Sequence, residues 1–363
     1  MDRRQPIFPV LLVLSTCVST SSTTSSPPPP PPPPPPSGPF ADFNHPDSAT
    51  TAVQAFEAAL AAPAYQSLVA FAPSLSIVGG HAPVPVSSVG AFRCAAGAAP
   101  LTPTGAFRPA GTSAIPDSLR SHVFAYDSAS QAFHATASSG GPANGVRFLL
   151  AGVDTAGRPV FPLRTVGWLD LIDESAAGGP DSIAAVLSDP GGPLVAYTML
   201  PSGTVSAYGE GVTGAFRAGG ATFFFSDSTS RVGTQVTVTT SVQDSAHHVH
   251  ATLMASRTAT DMYDWFYTLD FRLRFGTDSV HLKGASDVYC LLPSVGITVL
   301  VHDSAFASVT NGATPTTPNI TRGDGNPTTA QQAAAVFDLI RLQGELFNWM
   351  VAFSLPGTLL LGS

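Results

Sequence analysis

Alternation of apolar and polar residues over 222–289 constrains the fold more than any other feature of the sequence. Between Tyr263 and Phe275 every second residue is apolar, and polar residues such as Thr268 and Arg272 stand at most of the positions between. Successive side chains of a β-strand point to opposite faces, so this spacing predicts a strand with one buried and one solvated face. Thirteen residues at about 3.3 Å each favour a broad sheet that is open, curved or barrel-like.

Turn-forming sequences separate further apolar runs along the chain. Eight Asp-Ser dipeptides, among them Asp127-Ser128 and Asp227-Ser228, favour turns because both side chains bond to nearby backbone N–H groups. The spacing of turns and apolar runs predicts a mainly β, largely antiparallel fold. The predicted hairpins pair 122–126 with 131–136, 146–153 with 160–166, and 183–187 with 194–200, and a further strand is predicted over 205–208.

Helices are predicted before and after the strand-rich part of the sequence. Asp47 or Ser48 caps a helix that runs through Leu60 and ends at Pro63. Residues 308–329 are predicted to be a polar loop. A helical stripe follows to about residue 347, with strands after it that include Phe353, and residues 330–353 remain open between helix and strand. The expected class is therefore a β-rich α+β fold.

The first seventeen residues have the features of a secretion signal. Arg3 and Arg4 precede an apolar run over 7–14 that is too short to span a bilayer. The run ends in Leu-Ser-Thr-Cys at 14–17, which resembles the lipobox of bacterial lipoproteins. That resemblance implies that Cys17 becomes the lipidated first residue of the mature chain. The threonine before it departs from the Gly, Ala or Ser usual there, and ordinary cleavage with loss of Cys17 is the alternative.

A spacer follows Cys17. Residues 18–26 are almost all Ser and Thr, and Pro27–Pro36 is an unbroken run of ten prolines. Ten residues of polyproline II helix span about 31 Å and form a stiff rod. We expect a signal peptide with a lipobox-like end over 1–17, a tether over 18–39 and a globular body over 40–363. The lipid on Cys17 would anchor the protein to a membrane of the bacterial cell envelope. A subdivision of the body near 165–180 is a further candidate boundary.

Charged residues are scarce, and the excess of acidic over basic residues does not favour binding to nucleic acid. Only 11% of residues are charged, the formal net charge is −8, and the 16 basic residues are scattered along the chain. A protein that neutralises phosphates needs a basic patch or stripe. We therefore expect no nucleic-acid partner.

His248 and His250 are the strongest candidates for metal ligands. Residues two apart in a strand point the same way, so both imidazoles can approach one ion. However, the apolar residues that alternate with them predict that both lie on the solvated face. A third ligand would have to come from a distant residue such as His281 or His302. We predict no metal and no other cofactor.

Two further motifs match functional signatures in their letters, and one acidic cluster is also a candidate site. Gly209–Gly214 has the spacing of a dinucleotide fingerprint, but no helix is predicted after it to hold a phosphate. The Arg-Gly-Asp at 322–324 spells an integrin-binding tripeptide, which would need display on an exposed tight turn. Asp170, Asp173 and Glu174 form the densest acidic cluster, for which we predict a solvated turn.

Cys94 and Cys290 are the two cysteines of the body. Exported proteins form disulfides, and closing so long a loop would stabilise the fold by about 5 kcal/mol on the chain-entropy model. Cys290 also lies in an apolar run where a buried free thiol is equally natural. The sequence leaves both alternatives open.

The missing motifs favour a protein without catalytic activity. The sequence contains no Gly-x-Ser-x-Gly, Ser-x-x-Lys, His-Glu-x-x-His or Walker motif, and we name no catalytic residue. We expect an envelope-tethered lipoprotein whose sheet is a binding or surface module for an apolar small molecule or a cell-surface partner. The alternatives are an adhesion or scaffold protein, and a hydrolase or metalloenzyme around His248 and His250.

Overall fold

The structure, a computed structural model, describes eleven continuous segments of the chain and a set of separate positions after them, all within the unit Pro36–Ser363. They are residues 61–75, 113–154, 157–175, 182–204, 207–218, 221–232, 235–244, 249–258, 266–289, 292–314, 317–325 and separate positions between 328 and 356.

The described residues form fifteen strands that join into one sheet. The strands are β1 (His122–Asp127), β2 (Ala132–Ser139), β3 (Gly145–Ala151), β4 (Thr165–Asp173), β5 (Ile183–Asp189), β6 (Gly192–Thr204), β7 (Ala207–Ala218), β8 (Ala221–Val232), β9 (Gln235–Asp244), β10 (Val249–Thr258), β11 (Phe266–Phe275), β12 (Asp278–Tyr289), β13 (Leu292–Val301), β14 (Ser304–Thr314) and β15 (Thr317–Arg322).

The strands follow one another across the sheet almost as they do along the chain. From one edge the order runs from β15 down to β3, and β1 and β2 complete the other edge. Neighbouring strands are antiparallel throughout, except that β1 and β3 are parallel. The sheet is open and is not closed on itself. The prediction of a mainly β, largely antiparallel fold is confirmed.

The predicted alternation of buried and exposed residues is confirmed in β11. Leu269, Phe271 and Leu273 are buried, whereas Thr268 and Arg272 are exposed. The strand begins at Phe266, and residues 263–265 of the predicted strand lie outside the described residues. β9 and β10 follow the same rule, and we call the face with the buried residues the inner face of the sheet.

Pro63 begins a helix that the sequence analysis did not predict. Helix α1 (Pro63–Phe71) has proline in its first turn, where the missing N–H has no helical partner to lose. The helix predicted over 48–60, with its end at Pro63, lies outside the described residues. Tyr65, Leu68 and Phe71 of α1 are at most 1% exposed and belong to the core.

Helix α1 packs on the inner face of β3, β4 and β5. The Ser67 hydroxyl donates a hydrogen bond of 2.8 Å to the Ala151 carbonyl, and the Tyr65 hydroxyl donates one of 3.1 Å to the Leu194 carbonyl. The Phe71 ring lies 4.8 Å from that of Tyr126, centroid to centroid. Aromatic contacts and hydrogen bonds thus fix the helix to the sheet at several points.

The C-terminal part of the chain differs from the prediction at two places. Residues 308–329, predicted as a loop, contribute to β14 and β15, because β-branched residues such as Val309 and Ile320 alternate there and pair across the two strands. Phe353, predicted in a strand, is helical. Ala352, also in the part predicted as strand, is helical and buried. The described helical positions between 330 and 347 agree with the predicted helix, and several of them are buried: Val336, Leu339, Leu342 and Leu346.

Two predicted strand boundaries are also wrong. Residues 160–164 lie outside the ladder because Pro159 and Pro162 lack the N–H that a ladder requires, and β4 therefore starts at Thr165. The sequence predicts a turn at 201–203, between the strands 194–200 and 205–208. Residues 201–204 extend β6 instead, so that Pro201 pairs with Glu210 of β7. The candidate domain boundary near 165–180 includes β4 and ends just before β5. These two strands are hydrogen-bonded neighbours in the sheet.

Candidate functional site

The outer face of β10, β11 and β12 brings together basic side chains from three strands. Arg272 and Arg274 lie two positions apart on β11. The register places Arg274 beside His250 of β10, and Arg272 beside His281 of β12. Lys283, the single lysine of the chain, is paired with Asp270. We call this group the basic patch: His250, Asp270, Arg272, Arg274, His281 and Lys283.

The carboxylate of the basic patch is fixed by two partners. Arg272 Nε lies 3.1 Å from Asp270 Oδ1, and His281 Nε2 lies 3.0 Å from the same oxygen. The His281 side chain is 11% exposed and the Arg272 side chain 51% exposed. Arg274 and Lys283 are exposed and form no ion pair with the described residues. The patch therefore presents cationic groups to solvent around one neutralised carboxylate.

His250 lies on the outer face as predicted, and its partner His248 lies outside the described residues. His250 Nε2 is 3.2 Å from the Ser241 hydroxyl, and the guanidinium-bearing Arg274 is its cross-strand neighbour. A permanent positive charge beside an imidazole disfavours a bound metal cation. Strand β11 separates His250 from His281, and within the described segments no three His, Cys, Asp or Glu side chains converge as metal ligands.

His302 approaches a different carboxylate, at the ends of two hairpins. Its Nε2 is 3.4 Å from Oδ1 of Asp278, a side chain with no exposed surface. The His302 backbone N–H also donates to the Ser279 carbonyl at 3.0 Å. This arrangement joins the β13–β14 turn to the start of β12. It does not bring His302 to His250.

One serine contacts both a histidine and a carboxylate in the β1–β2 turn. Ser130 Oγ lies 2.7 Å from His134 Nε2 and donates a 2.8 Å hydrogen bond to Asp127 Oδ2. Because the serine proton is directed to Asp127, His134 is the donor in the other contact and does not act as the base that a serine nucleophile requires. The three residues are exposed and form a turn. The Asp127-Ser128 turn predicted from the sequence is confirmed.

Asp170 and Asp173 lie on β4 and are buried, so the prediction of a solvated turn is wrong for both. Glu174, the next residue, is exposed. The reason is that Leu169 and Leu171 continue the apolar alternation, which holds this stretch in the sheet. Buried carboxylates need partners, and each of these has them.

Asp170 has a two-point ion pair with Arg147 of β3. Arg147 Nε donates to Oδ1 and Nη2 to Oδ2, both at 2.7 Å. The guanidinium also stacks over Trp168 at 5.3 Å from the ring centroid. Hydrogen bonding to Asp170 raises the pKa of Arg147. The charge of Asp170 therefore stabilises the pairing of β4 with β3.

Asp173 accepts hydrogen bonds from the segments on either side of it in space, residues 113–115 and Ser175. Its Oδ2 accepts from the Ser113 hydroxyl at 2.6 Å and the Ile115 N–H at 3.2 Å, and its Oδ1 from the Ser175 N–H at 3.0 Å. Burial by itself would raise the pKa of Asp173, but these hydrogen bonds outweigh it and the pKa is lowered. Asp173 therefore anchors the segment before β1 to the end of β4.

A second polar group lies on the inner face of β7, β8 and β9. Glu210 and Asp227 are each 4% exposed, and the Thr240 hydroxyl donates to Asp227 Oδ1 at 2.7 Å. Burial, with a further contribution from the charge of Glu210, raises the pKa of Tyr197. The Asp227-Ser228 turn predicted from the sequence is wrong, because Asp227 lies in the middle of β8. Its neighbours in β7 and β9 continue the ladder on both sides.

The glycines at 209–214 lie within β7, which continues as a strand to Ala218. A Cβ on Gly214 would stand 2.5 Å from the Cβ of Tyr197 and would also clash with the Ala196 carbonyl. Glycine is required at this position because β6 approaches β7 closely there. The fingerprint spacing does not form a phosphate site.

The Arg-Gly-Asp tripeptide does lie on an exposed tight turn after β15. The Gly325 N–H donates to the Arg322 carbonyl at 2.9 Å, and the Gly323 N–H to the Phe306 carbonyl at 2.9 Å. Arg322 Nη2 lies 3.4 Å from Asp324 Oδ2. The two charged ends of the tripeptide therefore neutralise each other in this structure.

The cysteines Cys17, Cys94 and Cys290 lie outside the described residues, as does the whole signal and tether region. No helix in the described segments is both long enough and apolar enough to cross a membrane.

Sequence reasoning missed the basic patch. Its members are up to 33 positions apart, between 250 and 283, and lie two apart only within β11 and within β12. The alternation of 263–275 placed Arg272 and Arg274 on the wet face, but the register of β10 and β12 was needed to bring the other residues beside them. No protein-family model, curated protein or solved structure matches the chain.

Proposed function

We propose that this protein is a non-catalytic binding module, tethered to a bacterial envelope membrane through Cys17, that contacts its partner through the outer face of its sheet. The observation that supports this most is the contrast between the two faces. The inner face is filled by the protein's own side chains, whereas the outer face of the described strands presents mostly polar and cationic groups to solvent, with scattered exposed apolar side chains such as Phe224 and Met254.

The filled inner face favours a surface partner over an enclosed apolar ligand. The Phe353 ring stacks on Phe225 of β8 at 5.2 Å and contacts Tyr197 of β6 at 4.9 Å. Helix α1 covers the inner face of β3 to β5 in the same way, with Phe71 fully buried. Among the described residues, these aromatic side chains occupy the space between helices and sheet that an apolar ligand would need.

The polar contacts of the described residues favour binding over catalysis. Asp170 and Asp173 have structural partners, and the Ser130–His134 contact has the wrong donor for nucleophilic activation. The tether is proposed from the sequence: the basic n-region, the apolar run and Cys17 are followed by about 31 Å of proline rod.

The anchor is tested by expressing the full-length chain and its Cys17→Ser variant in a bacterial host. We expect labelled fatty acid on the wild type, which should fractionate with membranes, and unlabelled Cys17→Ser protein in the soluble fraction. Equal partition of the two proteins into the soluble fraction would overturn the lipoprotein part of the proposal.

Native mass spectrometry of the purified full-length Cys17→Ser protein tests the rest. We expect the mass of the polypeptide alone. A lipid bound in a one-to-one ratio would instead favour the apolar-ligand function. One equivalent of metal, lost in a His248→Ala/His250→Ala double variant, would favour the metalloenzyme.

A further inference from the structure

We infer that the basic patch binds an anionic polysaccharide, a polymer with carboxylate or sulfate groups along its length. This inference deepens the proposed function, because it rests on the outer face being the binding surface. It names the chemistry of the partner and the residues that select it.

The first argument is the concentration of positive charge. The chain has a net charge of −8, yet Arg272, Arg274 and Lys283 lie on one face of two adjacent strands. Like charges at neighbouring positions of a sheet repel one another. Within the described part of the patch only Asp270 offsets them, and its Oδ1 is already held by Arg272 and His281. An external anion would relieve the repulsion at Arg274 and Lys283.

The second argument is geometric. Arg272 and Arg274 are about 7 Å apart along β11, because a strand advances about 3.3–3.4 Å per residue. Lys283 lies opposite Asp270 on the adjacent strand, about 7–8 Å diagonally from Arg272. Cationic groups at such intervals on an extended surface suit a polymer whose charged groups recur along its length. Guanidinium groups also bind carboxylate and sulfate oxygens through two parallel N–H groups.

The third argument is the chemistry around the cations. Ser241 of β9, Thr252 of β10, Ser279 of β12 and Thr298 of β13 lie on the outer face beside or near the patch. Hydroxyl groups donate and accept hydrogen bonds, as the hydroxyls of a sugar do. A polysaccharide can therefore be contacted through both its charges and its hydroxyls.

The test uses the full-length Cys17→Ser protein and three purified polymers: polygalacturonate, dextran sulfate and uncharged dextran. Binding is measured by fluorescence anisotropy of labelled polymer over a range of salt concentrations. We expect binding to at least one anionic polymer that weakens as salt rises, and none to dextran. An Arg272→Gln/Arg274→Gln/Lys283→Gln variant should bind at least 10-fold more weakly.

The matched control removes the same charge elsewhere. Arg158, Arg164 and Arg217 are exposed and lie outside the patch, so the Arg158→Gln/Arg164→Gln/Arg217→Gln variant should bind within about 2-fold of the wild type. Circular dichroism melts establish that both variants are folded. Equal losses in the two variants would mean that overall charge, not the patch, determines binding, and would overturn the inference.

Two further outcomes would also overturn it. One is binding to phosphatidylglycerol vesicles in preference to both anionic polymers, which would assign the patch to lipid headgroups. The other is a protein that binds isolated envelope fragments but neither anionic polymer. In that case the binding module of the proposed function stands and only the ligand class is wrong. Failure of the proposed function itself would be seen in the fractionation and mass-spectrometry experiments.

Discussion

Arg147 and Asp170 face each other across β3 and β4 and share two hydrogen bonds of 2.7 Å. The pair lies beside the place where the sheet changes from parallel to antiparallel pairing, since β3 is parallel to β1 and antiparallel to β4. The Arg147 guanidinium is held on its other side by Trp168. A charged pair of this geometry contributes both stability and a fixed register.

Asp170→Asn is expected to lower the free energy of unfolding by about 1.5–3 kcal/mol, because it replaces an acceptor of two charged hydrogen bonds with a group that can accept only one. The measurement is urea denaturation followed by circular dichroism. Glu174→Gln, an exposed change of the same kind four residues further on, is the control and should cost less than about 0.5 kcal/mol. Equal effects of the two changes would contradict the structural role of the pair.

Asp173 should make stability depend on pH in the acid range. Its pKa is lowered in the folded protein, whereas an unfolded Asp titrates near about 3.9. The stabilisation is therefore present above about pH 4 and is lost as the pH falls through the lower pKa of the folded state. Unfolding of wild type and Asp173→Asn is compared at pH 7 and at pH 3. The wild type should lose more stability than the variant, and parallel losses would refute the assignment.

Phe271 is expected to dominate the core contribution of β11. Phe271→Ala should lower the free energy of unfolding by about 3–5 kcal/mol, because the side chain is fully buried and its removal leaves a cavity. Thr268→Ala on the exposed face of the same strand is the control and should cost far less. Similar costs in denaturant melts would mean that the faces of β11 are assigned the wrong way round.

Gly214 and Gly211, both in β7, should respond differently to an added methyl group. Gly214→Ala should destabilise the protein by about 1–3 kcal/mol, because its Cβ would collide with the Tyr197 side chain and the Ala196 carbonyl. At Gly211 the nearest atom to a new Cβ is the Leu200 oxygen at 4.0 Å, so Gly211→Ala should be tolerated. Thermal melts of the two variants compare them directly, and a tolerated Gly214→Ala would exclude the close strand approach.

The sequence predicted the strands well where burial repeats with period two. β1, β5 and β11 are examples, because each has one apolar face that only a sheet can bury. Helix α1 was not predicted because a proline such as Pro63 is compatible with both the end of one helix and the first turn of the next. Phe353 was misjudged because a short apolar run fits both helical and strand periods.

The basic patch and the two buried carboxylates of β4 could not be predicted because both depend on register. Asp170 is paired because Arg147, 23 positions earlier, is its cross-strand neighbour. The same applies to His250 and Arg274, which are 24 positions apart and adjacent in space. A single sequence fixes which face a residue occupies, but a slip of two residues in pairing would preserve every face and change every neighbour.

The sheet order also bears on how the chain can acquire its structure. From β4 to β15 each strand pairs with the one made immediately before it, usually after a turn of a few residues. A chain that emerges N-terminus first can therefore add one hairpin after another to a growing edge, without waiting for distant sequence to arrive. Contacts between sequence neighbours close quickly, so a sheet of this width need not fold slowly. The last step would be the arrival of Phe353 on Tyr197 and Phe225, which covers the inner face only after the strands beneath it have formed.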